Sequence, residues 1–381
     1  MQALIGRFPT RRAWLGSPQG PALAQRLQRH LAGIRRFGPR DAGAGSAATR
    51  GGTKPRDELH VVHWNVLHGN HHERVLRALR EEPALAGADL VSLNETDLGL
   101  PRSGNRDVAF DLARALGLHA AWTALFLELE AGSGTPAEVA ALEARESLFG
   151  MALLSRFPLG LVRRVELETP EDLLFDRERH IGRFVALVAE VQRPGAPFHA
   201  IVAHLDVHGS PGVRGSQMQA VLAAVPPGPA VLAGDLNTTT FRRGGPLRAA
   251  RTLALLACTP RGRLHRRLLS PHLPRGAAPE PLFDALRERG FEIEPFNDDT
   301  PSLDLRFADV HELDFLAPAP RRVALRALRA VERRSALRLD WIAARGFVPA
   351  PERPPFALPH LMRGPDAASD HAPIGCGLRR A

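Results

Sequence analysis

PAVLAGDLN, residues 229–237, is an apolar run of strand length that closes on an acid and an amide, Asp235 and Asn237. One such ending means little, because strand ends meet solvent and an acid there commonly serves as a turn residue or helix cap. The same ending recurs, however. ADLVSLNE (88–95) stops on Asn94 and Glu95, and FHAIVAHLD (198–206) stops on His204 and Asp206. HVVHWNVL (60–67) holds Asn65 inside an apolar run, where an amide is depleted and wants a polar partner. Four runs with polar groups at or near their C-terminal ends imply one shared polar rim.

Working outward, GMALLS (150–155), RFVALVAEV (183–191) and RLDWIAA (338–344) read as further strands. ERVLRALREEPAL (73–85), RDVAFDLARALG (106–117) and residues 213–224 space their apolar residues three and four apart, as helices do. No internal repeat is visible, so the pattern from residue 58 onward predicts one large α/β domain of many strands, 58–381. Two more polar pieces lie near its end: Asp340 inside RLDWIAA, and Ser369-Asp370-His371 just before an apolar run. Arg338 stands two residues before Asp340 on the same strand face, so a plain salt bridge is an alternative account of that acid.

The 381 residues are 44% hydrophobic and 24% charged, enough to bury a sizeable core. Cys258 and Cys376 are too few for a disulfide framework and lack the spacing of a zinc or redox site. No apolar stretch is long enough to span a bilayer and no secretory h-region opens the chain, so a soluble, cytoplasmic protein is expected; a monomer is the separate expectation for its assembly. The net charge of +9 is uneven. Residues 1–40 carry eight Arg and no acid, and residues 241–280 carry nine Arg against Glu280, which leaves the remainder acidic. The first 57 residues are therefore expected to form a basic, flexible tail and a Gly- and Ser-rich linker, with a short amphipathic helix near 21–34. Such a tail could touch an anionic surface. The Arg- and Pro-rich stretch 241–280 reads as an insertion, either a solvated loop or a strip that attracts a polyanion to the cleft.

The pieces WN, NE, GMALLSR, HLD with Arg214 and Gln217, GDLN, FDA (283–285), RLDW and SDHAPI stand in an order that resembles the endonuclease/exonuclease/phosphatase superfamily, over residues 59 to about 380. The resemblance implies a four-layer αββα sandwich, two mostly antiparallel sheets face to face between helices, with the site at one end. It implies that Glu95 is the principal ligand of Mg²⁺ or Mn²⁺, with Asn65 and Asp370 close by. It implies that Asp235 orients or deprotonates the attacking water, that Asn237 and His204 hold phosphate oxygens, and that His371, oriented by Asp340, sits over the phosphate. Those hard cations favour oxygen ligands, and an Asp on one imidazole nitrogen fixes the tautomer and favours the imidazolium. The implied activity is metal-dependent hydrolysis of a phosphoester, foremost a phosphodiester. Nucleic acid, phospholipid and small phosphomonoesters all remain open as substrates.

The chain departs from the family pattern at three places. Asn94 stands where the family usually has Gln, the sequence contains no Tyr at all, and the 241–280 insertion is not a core element. Without a Tyr, the phosphate-contacting Tyr of apurinic-type endonucleases is missing. A rival assignment rests on HGNHHE (68–73), which is similar to the G-N-H-E block of calcineurin-like metallophosphoesterases, but the blocks that should precede it come far later here. His68, His71 and His72 then read as a polar loop or as part of the cleft wall. A non-catalytic binding module is the other rival, against which stand intact Glu95, Asp235 and His371.

Overall fold

A computed structural model describes residues 1–39, 58–130, 141–238, 280–304 and 336–381, with short pieces near 135–139 and 258–273. Most of the 241–280 insertion therefore lies outside the described residues. Three helices open the chain, α1 (Gln2–Gly6), α2 (Arg11–Leu15) and α3 (Gly20–Leu31), followed by strand β1 (Ile34–Phe37). The body continues with β2 (Glu58–Asn65), α4 (His72–Glu81), β3 (Leu90–Leu98), α5 (Val108–Leu116), β4 (His119–Glu128), β5 (Leu148–Ser155) and β6 (Leu159–Glu166). Next come the short α6 (Glu171–Leu173), then β7 (His180–Gly182), β8 (Val185–Val191), β9 (Phe198–His204), α7 (Pro211–Ala223), β10 (Ala230–Asp235) and α8 (Pro281–Glu288). A small pair, β11 (Leu303–Asp304) and β12 (Ala336–Leu337), precedes β13 (Asp340–Arg345), β14 (Phe347–Pro349), β15 (Phe356–Ala357) and β16 (Ile374–Arg380).

Among the described residues the strands form two large sheets. One runs β1-β4-β5-β3-β2-β16-β14, with β7 on β4 and β15 on β16; the other runs β13-β10-β9-β8-β6. Only β2 with β3 and β9 with β10 pair in parallel; the other pairings within these two sheets are antiparallel. The expected two-sheet α/β sandwich flanked by helices is thus the observed one.

Strand β2 shows why the sheets face each other. Its side chains alternate: Leu59 and Val61 join the core between the sheets, while Val62 and Trp64 join the core under the helices. The next two inward positions are His63 and Asn65, both buried. On β3 the same alternation sends Val91 and Leu93 toward the helices and turns Ser92 and Asn94 toward the other sheet. The apolar sandwich core therefore gives way to polar groups at the ends of these strands, and the site stands there.

The N-terminal expectation is corrected. Residues 1–37 are built onto the body: β1 pairs with β4 from Ile34 opposite Thr123 to Phe37 opposite Ala120. Ile5, Trp14, Leu27 and Leu31 are buried, and Trp14 stacks on Phe175 with ring centroids 5.7 Å apart. The expected amphipathic helix is α3. Two of the arginines around it are paired: Arg35 reaches Asp107 at 2.8 Å, and Arg11 pairs with Glu171 and Asp172. Four buried apolar side chains, at roughly 1.5–3 kcal/mol each, outweigh partly exposed ion pairs worth about 0–1 kcal/mol. The apolar spacing, not the charge run, decides the fate of this segment.

Candidate active site

Register assembles the site. In the first sheet His63 pairs with Ser92 and Asn65 with Asn94. In the second, Asp235 pairs with His204 on one side and with Asp340 on the other. Three adjacent strands thus present His204, Asp235 and Asp340 in a row, facing the Asn65 and Asn94 row across the sandwich. Gly234 of GDLN is required by the approach of β9, because a Cβ there would run into the Ala203 carbonyl oxygen. His371 lies three residues ahead of β16, and Trp64 Nε1 holds its backbone by donating to the His371 carbonyl at 2.9 Å.

Across the sheets the groups are joined directly. Asn65 Nδ2 donates to Glu95 Oε1 at 2.9 Å and to Asp235 Oδ2 at 3.2 Å. The Asn94 side-chain oxygen accepts from the Asp235 backbone N–H at 2.8 Å. Asp235 Oδ1 accepts from the Asn237 backbone N–H at 3.0 Å, and Asn237 Nδ2 donates to the Leu205 carbonyl at 2.8 Å. His204 Nε2 and His371 Nε2 approach Asp235 Oδ2 to 3.7 and 3.9 Å, too far for hydrogen bonds but close enough to share one small ligand. His371 Nδ1 lies 2.7 Å from Asp340 Oδ2.

Two of these residues hold unusual backbone. Glu95 has φ +56° at an irregularity in the β3–β5 pairing between Leu93 and Thr96, and Asn237 has φ +49°. Non-glycine residues in the left-handed region cost on the order of 1–3 kcal/mol, a strain that concentrates at functional sites. At Glu95 it turns the carboxylate toward Asn65.

The electrostatics separate the acids. Burial and then the nearby Asp370 push the Glu95 carboxyl up to about 7. Asp340 goes the other way: burial opposes its charge, but His371 and His63 bonded to it hold the carboxyl below its ordinary range. Burial likewise opposes the His371 charge, but Asp340, with Asp235 and Asp370 behind it, raises its pKa well above 6.5. Burial lowers the pKa of His204. The arrangement favours an imidazolium on His371 over an ionised Asp340, next to a Glu95 carboxyl pushed toward its protonated form.

That crowding tests the fit for a metal. Glu95 and Asp370 repel each other in a buried setting, and the Asn65 amide alone does not offset it. A divalent cation would, and carboxylate and amide oxygens suit Mg²⁺ or Mn²⁺. Asp235, Asp340 and His371 also bring ligand atoms within 4.8 Å of one another. Both Asp340 oxygens are already engaged by imidazoles, however, so this trio is better suited to hold a proton than a cation.

The structure brings all eight expected residues to one end of the sandwich: Asn65, Glu95, His204, Asp235, Asn237, Asp340, Asp370 and His371. Arg338 pairs with Asp298 at 2.9 Å, so the plain salt bridge considered for Asp340 does not form. Arg214 and Gln217 lie outside the cluster. Arg214 is locked to Glu280 at 2.5 Å and donates to the Gly209 carbonyl at 2.7 Å, and Gln217 accepts from the Asp206 backbone, so both buttress the loop after His204. Of the HGNHHE histidines, His68 alone reaches the site, with Nε2 3.5 Å from Glu95 Oε2. His71 stands at the position before α4 without a side-chain capping bond, and His72 is the first residue of the helix. Sequence reading did not assign His63, Ser92 or a role for Asn94, although polar residues at alternate positions of apolar strands were the available signal.

The sequence profile of the Endonuclease/Exonuclease/phosphatase family matches residues 62–371. Among solved structures, the chain is similar to an endonuclease/exonuclease/phosphatase from Beutenbergia cavernae at 20% identity, with 85% of this chain and 72% of that chain covered and a TM-score of 0.49. A family protein from Leptotrichia buccalis is 12% identical over 85% and 99% of the two chains, with a TM-score of 0.48. An AP endonuclease from Archaeoglobus fulgidus is 15% identical over 84% and 99%, with a TM-score of 0.45. No curated protein sequence matches the chain. The profile spans well over half of the residues, including those that carry the polar rim, and the chain therefore belongs to the Endonuclease/Exonuclease/phosphatase family, whose members are typically divalent-metal-dependent hydrolases of phosphoester bonds.

Proposed function

We propose that this protein is a Mg²⁺- or Mn²⁺-dependent phosphodiesterase that promotes in-line attack of water on a phosphate ester. The observation that carries this reading is the unbroken polar connection from Glu95 through Asn65 to Asp235, with the His371–Asp340 pair standing beside Asp235. Metal ligand, water-orienting acid and charged imidazole thus surround a single space.

In this reading Glu95, Asn65 and Asp370 hold the cation, which supplies charge neutralisation at the phosphoryl oxygens when bound. Asp235 keeps Oδ2 toward that space because Oδ1 is tied to the Asn237 backbone. It therefore takes up the proton of the attacking water or orients it. An ionised Asp340 only accepts hydrogen bonds, so the proton on His371 Nδ1 is fixed toward it and Nε2 faces the substrate. His371 in its imidazolium form donates from Nε2 to a phosphoryl oxygen or to the departing group. His204 and the remaining amide hydrogen of Asn237 donate to further phosphate oxygens. Water is the nucleophile favoured here, since Ser92, although bonded to the His63 imidazole, is sealed between the sheets.

The test is turnover by purified protein with Mg²⁺ or Mn²⁺ on DNA, RNA, phospholipid and small phosphomonoester substrates, beside Glu95→Ala and His371→Ala. Hydrolysis of a diester that both variants lose is the expected result. Turnover of monoesters alone would replace the diesterase reading with a phosphatase one, and variants equal to the parent would remove the assignment.

A further inference from the structure

His63 occupies a position where the core asks for an apolar residue. It shares the inward face of β2 with Leu59 and Val61, is fully buried, and would cost free energy there unless its ring were bonded on both sides. Both ring nitrogens have partners. Nε2 lies 2.9 Å from Asp340 Oδ1, and Nδ1 lies 3.1 Å from Ser92 Oγ. Ser92 Oγ in turn donates to the Ala233 carbonyl of the opposite sheet at 2.9 Å. The line from His63 through Asp340 to His371 therefore crosses from the first sheet to the second and back.

We propose that His63 is a positioning residue for the His371–Asp340 pair, holding Asp340 Oδ1 so that Oδ2 remains directed at His371 Nδ1. The inference rests on the phosphoesterase reading given above, and concerns which residue sets the orientation of its imidazole.

The geometry of the carboxylate carries the argument. Backbone hydrogen bonds fix where Asp340 begins, since Ser302 Oγ accepts from the Asp340 and Leu339 backbone N–H groups at 3.2 and 3.0 Å. They do not fix the rotation of its carboxylate plane, a broad torsion that its own rotamer leaves loose. A carboxylate bonded only to His371 could rotate and let the imidazole follow. Bonded on one oxygen by His63 and on the other by His371, it is held from two sides while fully buried. Outer partners of this kind orient the groups that touch substrate, and their loss typically costs roughly 10- to 100-fold in activity.

His63→Leu removes the bond, and His63→Gln restores a donor where Nε2 stands. Two readouts apply: kcat and KM on the substrate found for the parent, and the downfield Nδ1 proton of His371 in ¹⁵N-histidine-labelled protein. The expected result for His63→Leu is folded protein whose kcat falls roughly 10- to 100-fold with KM within about twofold, and whose His371 proton signal is lost or broadened. His63→Gln recovers both. A merely structural His63 would lower the melting temperature and leave kcat and the proton signal of the folded fraction at parent values, which would overturn the proposal. Should His63→Leu not fold, His63→Asn, whose amide reaches Ser92 but not Asp340, decides on the same readouts. If the parent turns over nothing, the functional reading falls, while the His371 proton still decides whether His63 sets the pair.

Discussion

Asn65 and Glu95 come from neighbouring parallel strands of one sheet and meet through a 2.9 Å hydrogen bond, while the same Asn65 amide reaches Asp235 of the other sheet at 3.2 Å. One side chain thereby sets the spacing between the proposed metal ligand and the proposed water-orienting acid. Asn65→Ala removes both bonds and leaves the two carboxylates to repel each other. The expected outcome is a roughly 10- to 100-fold loss of divalent-ion affinity, measured by titration calorimetry with Mn²⁺, alongside a drop in kcat. Parent-like Mn²⁺ binding by the variant would place the metal away from this pair.

The Glu95 carboxyl, raised by burial and Asp370 to about 7 from an ordinary 4.5, makes metal binding a proton-linked event. In metal-free protein the folded state keeps a proton that the unfolded state has released across pH 4.5–7. This group therefore makes folding less favourable as pH rises through that window, and has no further effect above it. Binding needs the ionised form, so divalent affinity should climb with pH up to about 7 and then level. Melting temperatures in chelator and in Mg²⁺, taken across this range, should diverge as pH rises, and Glu95→Gln should abolish the divergence. Parallel melting curves would count against Glu95 as ligand.

Asp340 and His371 are pushed in opposite directions, the carboxyl downward and the imidazole upward. The pair's stabilisation is lost on acidification as pH falls through the depressed Asp340 value, and lost on alkalisation as pH rises through the raised His371 value. If His371 acts as an imidazolium, its contribution to kcat holds past neutrality and is lost on the alkaline side. Asp340→Asn should shift that alkaline limb toward lower pH and reduce kcat roughly 100-fold or more. An unmoved limb in the pH profile would assign it to another group.

How much of this was legible in the sequence depends on the kind of signal. Strands ending in polar residues were plain in 88–95, 198–206 and 229–237, because a strand buried on both faces leaves an acid or amide no ordinary place. Strand β4 was not read, since HAAWTALFLE mixes small and large apolar residues without the polar/apolar alternation that marks a half-buried strand, and its partner β1 lies far from it in sequence. His63 stayed hidden for a different reason: its meaning depends on Asp340, which is 277 residues away. Periodicity finds the face on which a residue lies but not what faces it.

The N-terminal segment gives the sharpest contest between charge and burial, and so a last measurable outcome. Trp14 is 2% exposed and stacks on Phe175 at an interplanar angle of 9°, while Arg11, on the same helix, is only partly buried where it pairs with Glu171 and with the exposed Asp172. If the basic charges held the segment, Arg11→Ala and Trp14→Ala would be similar, and high salt would mimic either. Magnitudes argue otherwise. Truncating a buried Trp costs about 3–5 kcal/mol, whereas a partly exposed ion pair is worth about 0–1 kcal/mol and is screened by salt. Urea midpoints should therefore drop strongly for Trp14→Ala, hardly at all for Arg11→Ala, and little for the parent in 1 M salt. A truncation beginning at residue 38 should lose still more, because it strips β1 from β4 and exposes the face that Leu27 and Leu31 cover. A truncated protein as stable as the full chain would show that the segment adds nothing to the body, despite its buried side chains.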